Sequence, residues 1–127
     1  MKLRWYILIA VLLYIPTFFG GFYFDDFSNF IEWKILENPV AFSGRWLNFL
    51  VLKTSYQMHG MNPFLFRLEN VLIHALNAFL VSKLCPKNKW LGLLFLVSAP
   101  CAYAVAYIIQ RSILMATFFS LLTIILH

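Results

Sequence analysis

Residues 5–24 read WYILIAVLLYIPTFFGGFYF, which is 20 consecutive positions without a charged side chain. At about 1.5 Å per residue, a helix of this length spans the roughly 30 Å hydrocarbon core of a bilayer. A cleaved signal peptide is the rival interpretation, because Lys2 and Arg4 precede the run. The run is long for a signal peptide, however, and no small-x-small cleavage site closes it. The stretch therefore predicts a first membrane-spanning helix.

The composition of the whole chain also indicates an integral membrane protein. Of the 127 residues, 62% are hydrophobic and only 12% are charged, and the mean hydropathy is +0.79. A water-soluble domain has about a quarter of its residues charged. This composition argues against a soluble globule, a disordered chain and a disulfide-rich secreted module. The net charge of +5 would suggest a nucleic-acid partner in a soluble protein, but in a membrane protein it first bears on topology.

Three more apolar segments follow the first. Asn62 and Pro63 are typical of the start of a helix, because Asn can cap it and Pro suits its first turn. Pro100 is expected to end or kink the third helix, so the turn into the fourth can lie anywhere between residues 98 and 112. The sequence predicts an all-α polytopic membrane protein with one membrane domain, residues 1–127, and four spans at about 5–24, 64–84, 90–104 and 110–127.

The charges divide unevenly between the two sides of a four-span arrangement. One side carries only positive residues, namely Lys2, Arg4, Lys83, Lys87 and Lys89. The other side carries both signs in equal number, with Lys34, Arg45, Lys53, Arg67 and Arg111 against Asp25, Asp26, Glu32, Glu37 and Glu69. Because cytoplasmic loops are enriched in Lys and Arg, both termini are predicted to be cytoplasmic. The excess charge orients the chain and gives no evidence for a nucleic-acid partner.

Residues 25–63 form an outer-face segment between the first two spans. Within it, residues 45–53, RWLNFLVLK, predict an amphipathic helix lying in the headgroup layer. Asp25 and Asp26 open this segment, directly after the first span. Two carboxylates there could act as a general base or hold a divalent cation beside a phosphate. A solvated acidic helix end is the competing interpretation.

Polar residues also occur within the later spans. Arg111 lies where the third span gives way to the fourth, and a charge at that depth is expected to be paired or to meet a phosphate. Snorkelling to the headgroups is the alternative for Arg111. Asn70, His74 and Asn77 form one stripe on an apolar helix. We expect this stripe to make interhelical hydrogen bonds rather than ligand contacts.

The order of these motifs resembles a known family. Phe24-Asp25-Asp26-Phe27 is followed by Gly44-Arg45-Trp46-Leu47, then Asn62-Pro63-Phe64 with Asn70 and His74, then Tyr107-Ile108-Ile109-Gln110-Arg111. In this order and spacing the chain resembles the N-terminal portion of the GT-C superfamily of membrane glycosyltransferases. It is most similar to the branch of transmembrane and tetratricopeptide-repeat O-mannosyltransferases and their bacterial relatives.

The resemblance implies a function and roles for particular residues. The donor would be a polyprenyl-phosphate-linked sugar used on the outer or lumenal face. Asp25 and Asp26 would carry the catalytic carboxylate, with Asp25 the first choice and a divalent cation an open alternative at the same pair. Arg111 would bind the donor phosphate, while Asn70, His74 and Arg45 would line the cavity. Membrane lipid and a second membrane subunit or a full-length enzyme are the implied partners.

Two departures from the family leave other functions open. The family usually has His-Pro where this chain has Ala99-Pro100, and the 127 residues correspond to the first third or less of such an enzyme. A non-catalytic, truncated relative that modulates a full-length enzyme is therefore the alternative. An oligomeric channel subunit is a third interpretation, supported only by the polar stripe. The short termini and the absence of a glycosylation sequon favour a bacterial inner membrane over the endoplasmic reticulum.

Overall fold

The computed structural model describes residues 1–23, 26, 46–88 and 90–127. Within those ranges the chain is helical and contains no strand. The helices are α1 (Leu3–Phe18), α2 (Trp46–His59), α3 (Pro63–Leu84), α4 (Trp90–Val97), α5 (Ala99–Ala106) and α6 (Arg111–Leu126), with a 3₁₀ turn at Ile108–Gln110 before α6.

Helix α3 is the centre of the bundle and packs against α1, α4, α5 and α6. It begins as the sequence predicts, because the Asn62 side chain accepts a hydrogen bond from the Phe64 amide at 3.1 Å and Pro63 occupies the first turn. Helix α1 presents one face to it through residues spaced four apart, which are Tyr6, Ala10, Tyr14 and Phe18. This spacing buries a single stripe of α1 and leaves its other faces exposed.

Two helices are long and apolar enough to cross a membrane by length and composition, and they are 63–84 and 108–126. They coincide with the second and fourth predicted spans. The first predicted span differs, because α1 has 16 helical residues. The third predicted span, 90–104, is divided into two helices of eight residues each by extended backbone at Ser98, two residues before Pro100. The structure therefore supports membrane association, with two candidate spans among the residues it describes.

Helix α2 contains most of the amphipathic segment that the sequence predicts, although Arg45 lies outside the described residues. One face of α2 is buried, with Asn48, Phe49, Leu52 and Ser55 inside the protein. The helix ends at His59, and Gly60 follows with φ +66°, a left-handed conformation that suits glycine. This turn leads the chain into α3 and places the end of α2 beside the start of α3.

Helices α3 and α4 approach closely at Gly92, and a side chain at this position has no room. A Cβ there would lie 2.6 Å from the Ala78 carbonyl oxygen, 2.7 Å from the Tyr6 hydroxyl and 2.9 Å from Ser82 Cβ. Small residues commonly allow such contacts between membrane helices. We expect Gly92→Ala to lower the free energy of unfolding by about 1–3 kcal/mol, because the Ala78 backbone cannot move aside without shifting α3.

Gly21→Ala is the matched control for this prediction, since a Cβ at Gly21 meets nothing within 4 Å. Unfolding of both variants in mixed detergent micelles, followed by circular dichroism, measures the difference. Equal stability of Gly92→Ala and the wild-type protein would show that the two helices are not in contact at this residue.

Candidate functional site at the joint between α5 and α6

Between α5 and α6 the helical hydrogen-bond pattern is interrupted at Tyr107 and the 3₁₀ turn Ile108–Gln110, a segment we term the joint. Tyr107 has an extended backbone, with φ −90° and ψ 120°. Such a break leaves peptide N–H and C=O groups without helical partners, and these groups are costly to bury unpaired. The joint is nevertheless buried at Ile108 and Ile109. Side chains from other segments supply the missing partners.

Asp26 pairs with the N–H groups of the joint. Its Oδ1 accepts a hydrogen bond from the Ile109 amide at 2.8 Å, and its Oδ2 accepts one from the Ile108 amide at 3.2 Å. The side chain is fully buried. Burial raises the pKa of the Asp26 carboxyl, while the two amides and the positive charge of Arg67 oppose that rise. Both carboxylate oxygens are thus engaged in holding the backbone.

Three side chains pair with the carbonyl groups of the same region. Arg67 Nε donates to the Ala106 carbonyl at 3.1 Å, and its two terminal nitrogens donate to the carbonyls of Gly20 and Gly21 after α1. Asn70 Nδ2 lies 3.4 Å from the Val105 carbonyl and 3.3 Å from that of Tyr107. Asn48 of α2 donates to the Ile109 carbonyl at 3.3 Å. Four segments of the chain therefore meet at the joint.

Arg111 begins α6 and is 1% exposed. Its Nε donates to Asn70 Oδ1 at 2.8 Å, its Nη1 to the Ser55 hydroxyl at 2.9 Å, and its Nη2 to the Phe66 carbonyl at 2.9 Å. The same Nη2 forms an ion pair with Glu69 Oε2 at 2.7 Å. Most of the guanidinium's five N–H donors are therefore used within the protein.

Glu69 also contacts His59, the last residue of α2. Glu69 Oε1 lies 3.2 Å from Nε2 of His59, whose ring stands edge-on to Phe66 with ring centroids 4.6 Å apart. Glu69 is 31% exposed and His59 is 12% exposed, so these two side chains are more accessible to solvent than Arg111. Arg111, Glu69 and His59 form one chain of polar contacts across α6, α3 and α2.

The stripe on α3 makes the interhelical hydrogen bonds that the sequence predicts. Asn70 contacts the joint, and Asn77 donates to the Leu114 carbonyl at 2.9 Å. His74 Nε2 lies 3.1 Å from the Leu96 carbonyl, to which the Tyr14 hydroxyl also donates at 3.2 Å. The Leu96 carbonyl has no helical partner because the residue four positions later is Pro100, which has no N–H. It is therefore available to these two side chains.

The residues with sequence-predicted roles are only partly brought together. Asp26, Asn70 and Arg111 converge on the joint, whereas His74 lies farther along α3 in the core. Asp25 and Arg45 lie outside the described residues. Each Asp26 oxygen accepts one amide hydrogen bond, and Asp25, the other carboxylate of the predicted cation site, lies outside the described residues. Among the described residues no group of three His, Cys, Asp or Glu side chains could hold a metal ion.

Several side chains that contact the joint or Arg111, directly or through Glu69, have no role predicted from the sequence. They are Asn48, Ser55, His59, Arg67 and Glu69. Two signals in the sequence could have identified all of these residues except Glu69. Arg67 precedes Asn70 by three positions, so it continues the polar stripe of α3. Asn48, Ser55 and His59 share the spacing of one face of α2. A polar stripe on each of two helices favours contact between those two faces.

A comparison of the chain with protein families, with curated proteins and with solved structures gives no match.

Proposed function

We propose that the protein is the N-terminal module of a GT-C-like membrane glycosyltransferase that uses a polyprenyl-phosphate-linked sugar on the outer face of the membrane. The observation that carries the proposal is that Asp26 and Arg67 bind the backbone at the joint, while the ion pair of Arg111 and Glu69 lies directly after it at the start of α6. Charged side chains buried in an apolar helical protein are costly, and they commonly mark a functional site. The motif order in the sequence supports the same assignment.

The proposed topology has four spans, with both termini in the cytoplasm and the joint at the outer face. Asp26 and Arg111 come from distant parts of the sequence and meet at the joint, which supports their placement on one side. Membrane lipid surrounds the exposed apolar faces of α1 and α6. A bacterial inner membrane is the proposed location, and a second membrane subunit or a full-length enzyme would complete the acceptor site.

In the proposed reaction, Asp25 takes the proton from the hydroxyl of the acceptor. The acceptor oxygen then bonds to the anomeric carbon, and the bond from that carbon to the phosphate oxygen breaks with its electron pair leaving on the phosphate. Asp26 holds the joint, and Arg111 is the proposed partner of the phosphate. Because Glu69 already pairs with Arg111, binding of a phosphate there requires Glu69 to give way.

Sugar transfer by the chain co-purified with its membrane partner tests the proposal. We expect Asp25→Asn to lower the transfer rate by at least about 100-fold, in the range that loss of a general base produces. Glu37→Gln, a change of another acid in the same outer-face segment, is the control and should leave transfer unchanged. Full transfer by both Asp25→Asn and Asp26→Asn would remove the catalytic assignment.

A non-catalytic relative that binds and modulates a full-length enzyme is the second candidate function. It is favoured because Asp26 and Arg111 each already have partners within the chain. Asp26 accepts from backbone amides of the joint, and Arg111 donates to the Phe66 carbonyl. On this alternative the chain changes the partner's transfer rate, and Asp25→Asn leaves that change intact. The same set of variants therefore separates the two functions.

A further inference from the structure

A cavity lies between the first turn of α2 and the first half of α6. Its wall includes Trp46 and Asn48 of α2 and Ser112, Met115, Ala116 and Phe119 of α6. The volume is about 200 Å³, and the cavity is open on one side within the described part of the chain. Pockets that enclose a whole small molecule measure roughly 300–1,000 Å³. This cavity therefore suits part of a molecule whose remainder lies outside it.

Asn48, in the wall of this cavity, has one end of its side-chain amide paired and the other unpaired. Its Nδ2 donates to the Ile109 carbonyl at 3.3 Å. Because a carbonyl can only accept a hydrogen bond, this contact fixes which end of the amide is the nitrogen, and Oδ1 is directed away from that carbonyl. Asn48 is 4% exposed, and its Oδ1 has no hydrogen-bond partner among the residues that the structure describes. An acceptor buried in this way costs free energy until a ligand or a water donates to it.

The wall of the cavity changes from polar to apolar along α6. Ser112 is the second residue of α6, so it and Asn48 lie at the end of the cavity next to the joint. Met115, Ala116 and Phe119 continue along the same face of the helix. Phe119 lies about 10 Å farther along the helix axis than Ser112. Since residues 108–126 are long and apolar enough to cross a membrane, the polar end belongs near one surface of the bilayer and the apolar end toward its centre.

We infer that the cavity binds a neutral membrane lipid with a free hydroxyl beside its acyl chains, of the diacylglycerol class. The lipid hydroxyl donates to Oδ1 of Asn48 and lies near the hydroxyl of Ser112. One acyl chain lies along Met115 and Phe119, and the other remains in the bilayer. A charged headgroup fits less well, because the described wall residues carry no charged side chain that could pair with a phosphate.

Such a lipid fits the cavity better than water does. A buried water makes about three hydrogen bonds, whereas the wall of this cavity is mostly apolar. A lipid instead presents its one hydroxyl to Asn48 and its carbon chain to the rest of the wall. The site depends on α6 lying in the membrane and not on sugar transfer.

Photocrosslinking of the chain in phosphatidylcholine nanodiscs tests the inference. The probe is a diacylglycerol with a diazirine in one acyl chain, and mass spectrometry of the peptides locates the label. We expect crosslinks to residues 112–119 that an excess of dioleoylglycerol suppresses. The O-methyl ether of dioleoylglycerol should be at least about tenfold less effective as a competitor, because a site built for a hydroxyl rejects an analogue that lacks it.

Two variants test the cavity and the acceptor separately. Ala116→Leu fills the cavity without touching Asn48 and should lower crosslinking at least about fivefold, because its side chain clashes with the lipid. Thr123→Leu is the matched control, since Thr123 is exposed on the same helix beyond the cavity. Asn48→Leu should abolish the preference for the free hydroxyl, so that dioleoylglycerol and its ether compete equally. Ala116→Leu keeps the test decisive if Asn48→Leu does not fold.

Three results would overturn the inference. They are crosslinks to residues 112–119 that dioleoylglycerol does not suppress, suppression by the O-methyl ether or by phosphatidylglycerol that equals that by dioleoylglycerol, and unchanged crosslinking of Ala116→Leu. The absence of any crosslink to these residues would equally overturn it and would assign the cavity to water. None of these measurements depends on sugar transfer, so the lipid site and the proposed function can fail separately.

Discussion

Arg111→Met is expected to lower the free energy of unfolding by about 3–5 kcal/mol, enough to prevent the protein from accumulating in the membrane. Arg111 is buried and Glu69 is partly buried, so removing the guanidinium leaves the Glu69 carboxylate without its countercharge. Here the loss also leaves Asn70, Ser55 and the Phe66 carbonyl without the donors that they contact. Arg111→Lys should restore little, since an ammonium cannot reproduce the planar fork that reaches these groups together.

Unfolding in mixed micelles measures this effect, with Lys87→Met as the control because Lys87 is exposed in the turn between α3 and α4. The double variant Arg111→Met with Glu69→Leu should lose less stability than the sum of the two single changes, because no unpaired charge remains. Additive losses would indicate that Arg111 and Glu69 do not interact.

The second large effect is expected from Asp26→Ala, which removes both acceptors of the joint's N–H groups. Leaving two buried amides unpaired should cost about 2–5 kcal/mol, since each unsatisfied donor costs about 1–3 kcal/mol. Asp26→Asn retains one acceptor oxygen and should lose about half as much. The loss is local, so hydrogen exchange is the appropriate measurement.

We expect the amides of Ile108 and Ile109 to exchange much faster in Asp26→Ala, while the amide of Ala75 in the middle of α3 is unaffected. Ala75 serves as the internal reference because it is buried away from the joint. Unchanged exchange at Ile108 and Ile109 would contradict the role assigned to Asp26. Together with the transfer assay on Asp25→Asn, this measurement separates a structural carboxylate from a catalytic one.

The sequence predicts the helical class and the start of α3 well, because both depend on local signals. Long apolar runs indicate membrane helices, and Asn62 with Pro63 marks a helix start in any context. The break at Ser98 also has a local cause in Pro100. The length of α1 differs from the prediction, because an uncharged run sets only the outer limits of a helix and not the residue at which it ends.

The joint could not be located from the sequence. No glycine or proline lies within residues 101–111, so nothing local interrupts the helix at Tyr107. The break is instead stabilised by Asp26, Asn48, Arg67 and Asn70, which are 35 or more residues away along the chain. The position of Arg111 within an apolar segment predicts a functional or paired charge, but its pairing with Glu69 depends on the folded arrangement of α3 and α6.

The joint also has a consequence for how substitutions combine. The peptide groups in and beside the joint are held by four side chains, of which Asp26 and Asn70 each contact two, and Asn48, Arg67 and Asn70 are themselves carried by α2 and α3. A replacement at Asn48, Arg67 or Asn70 that is tolerated alone would be poorly tolerated in a background that already lacks one of the others. These positions are therefore expected to change together or not at all, and a variant library that randomises them one at a time would overstate how freely this end of the bundle can be redesigned.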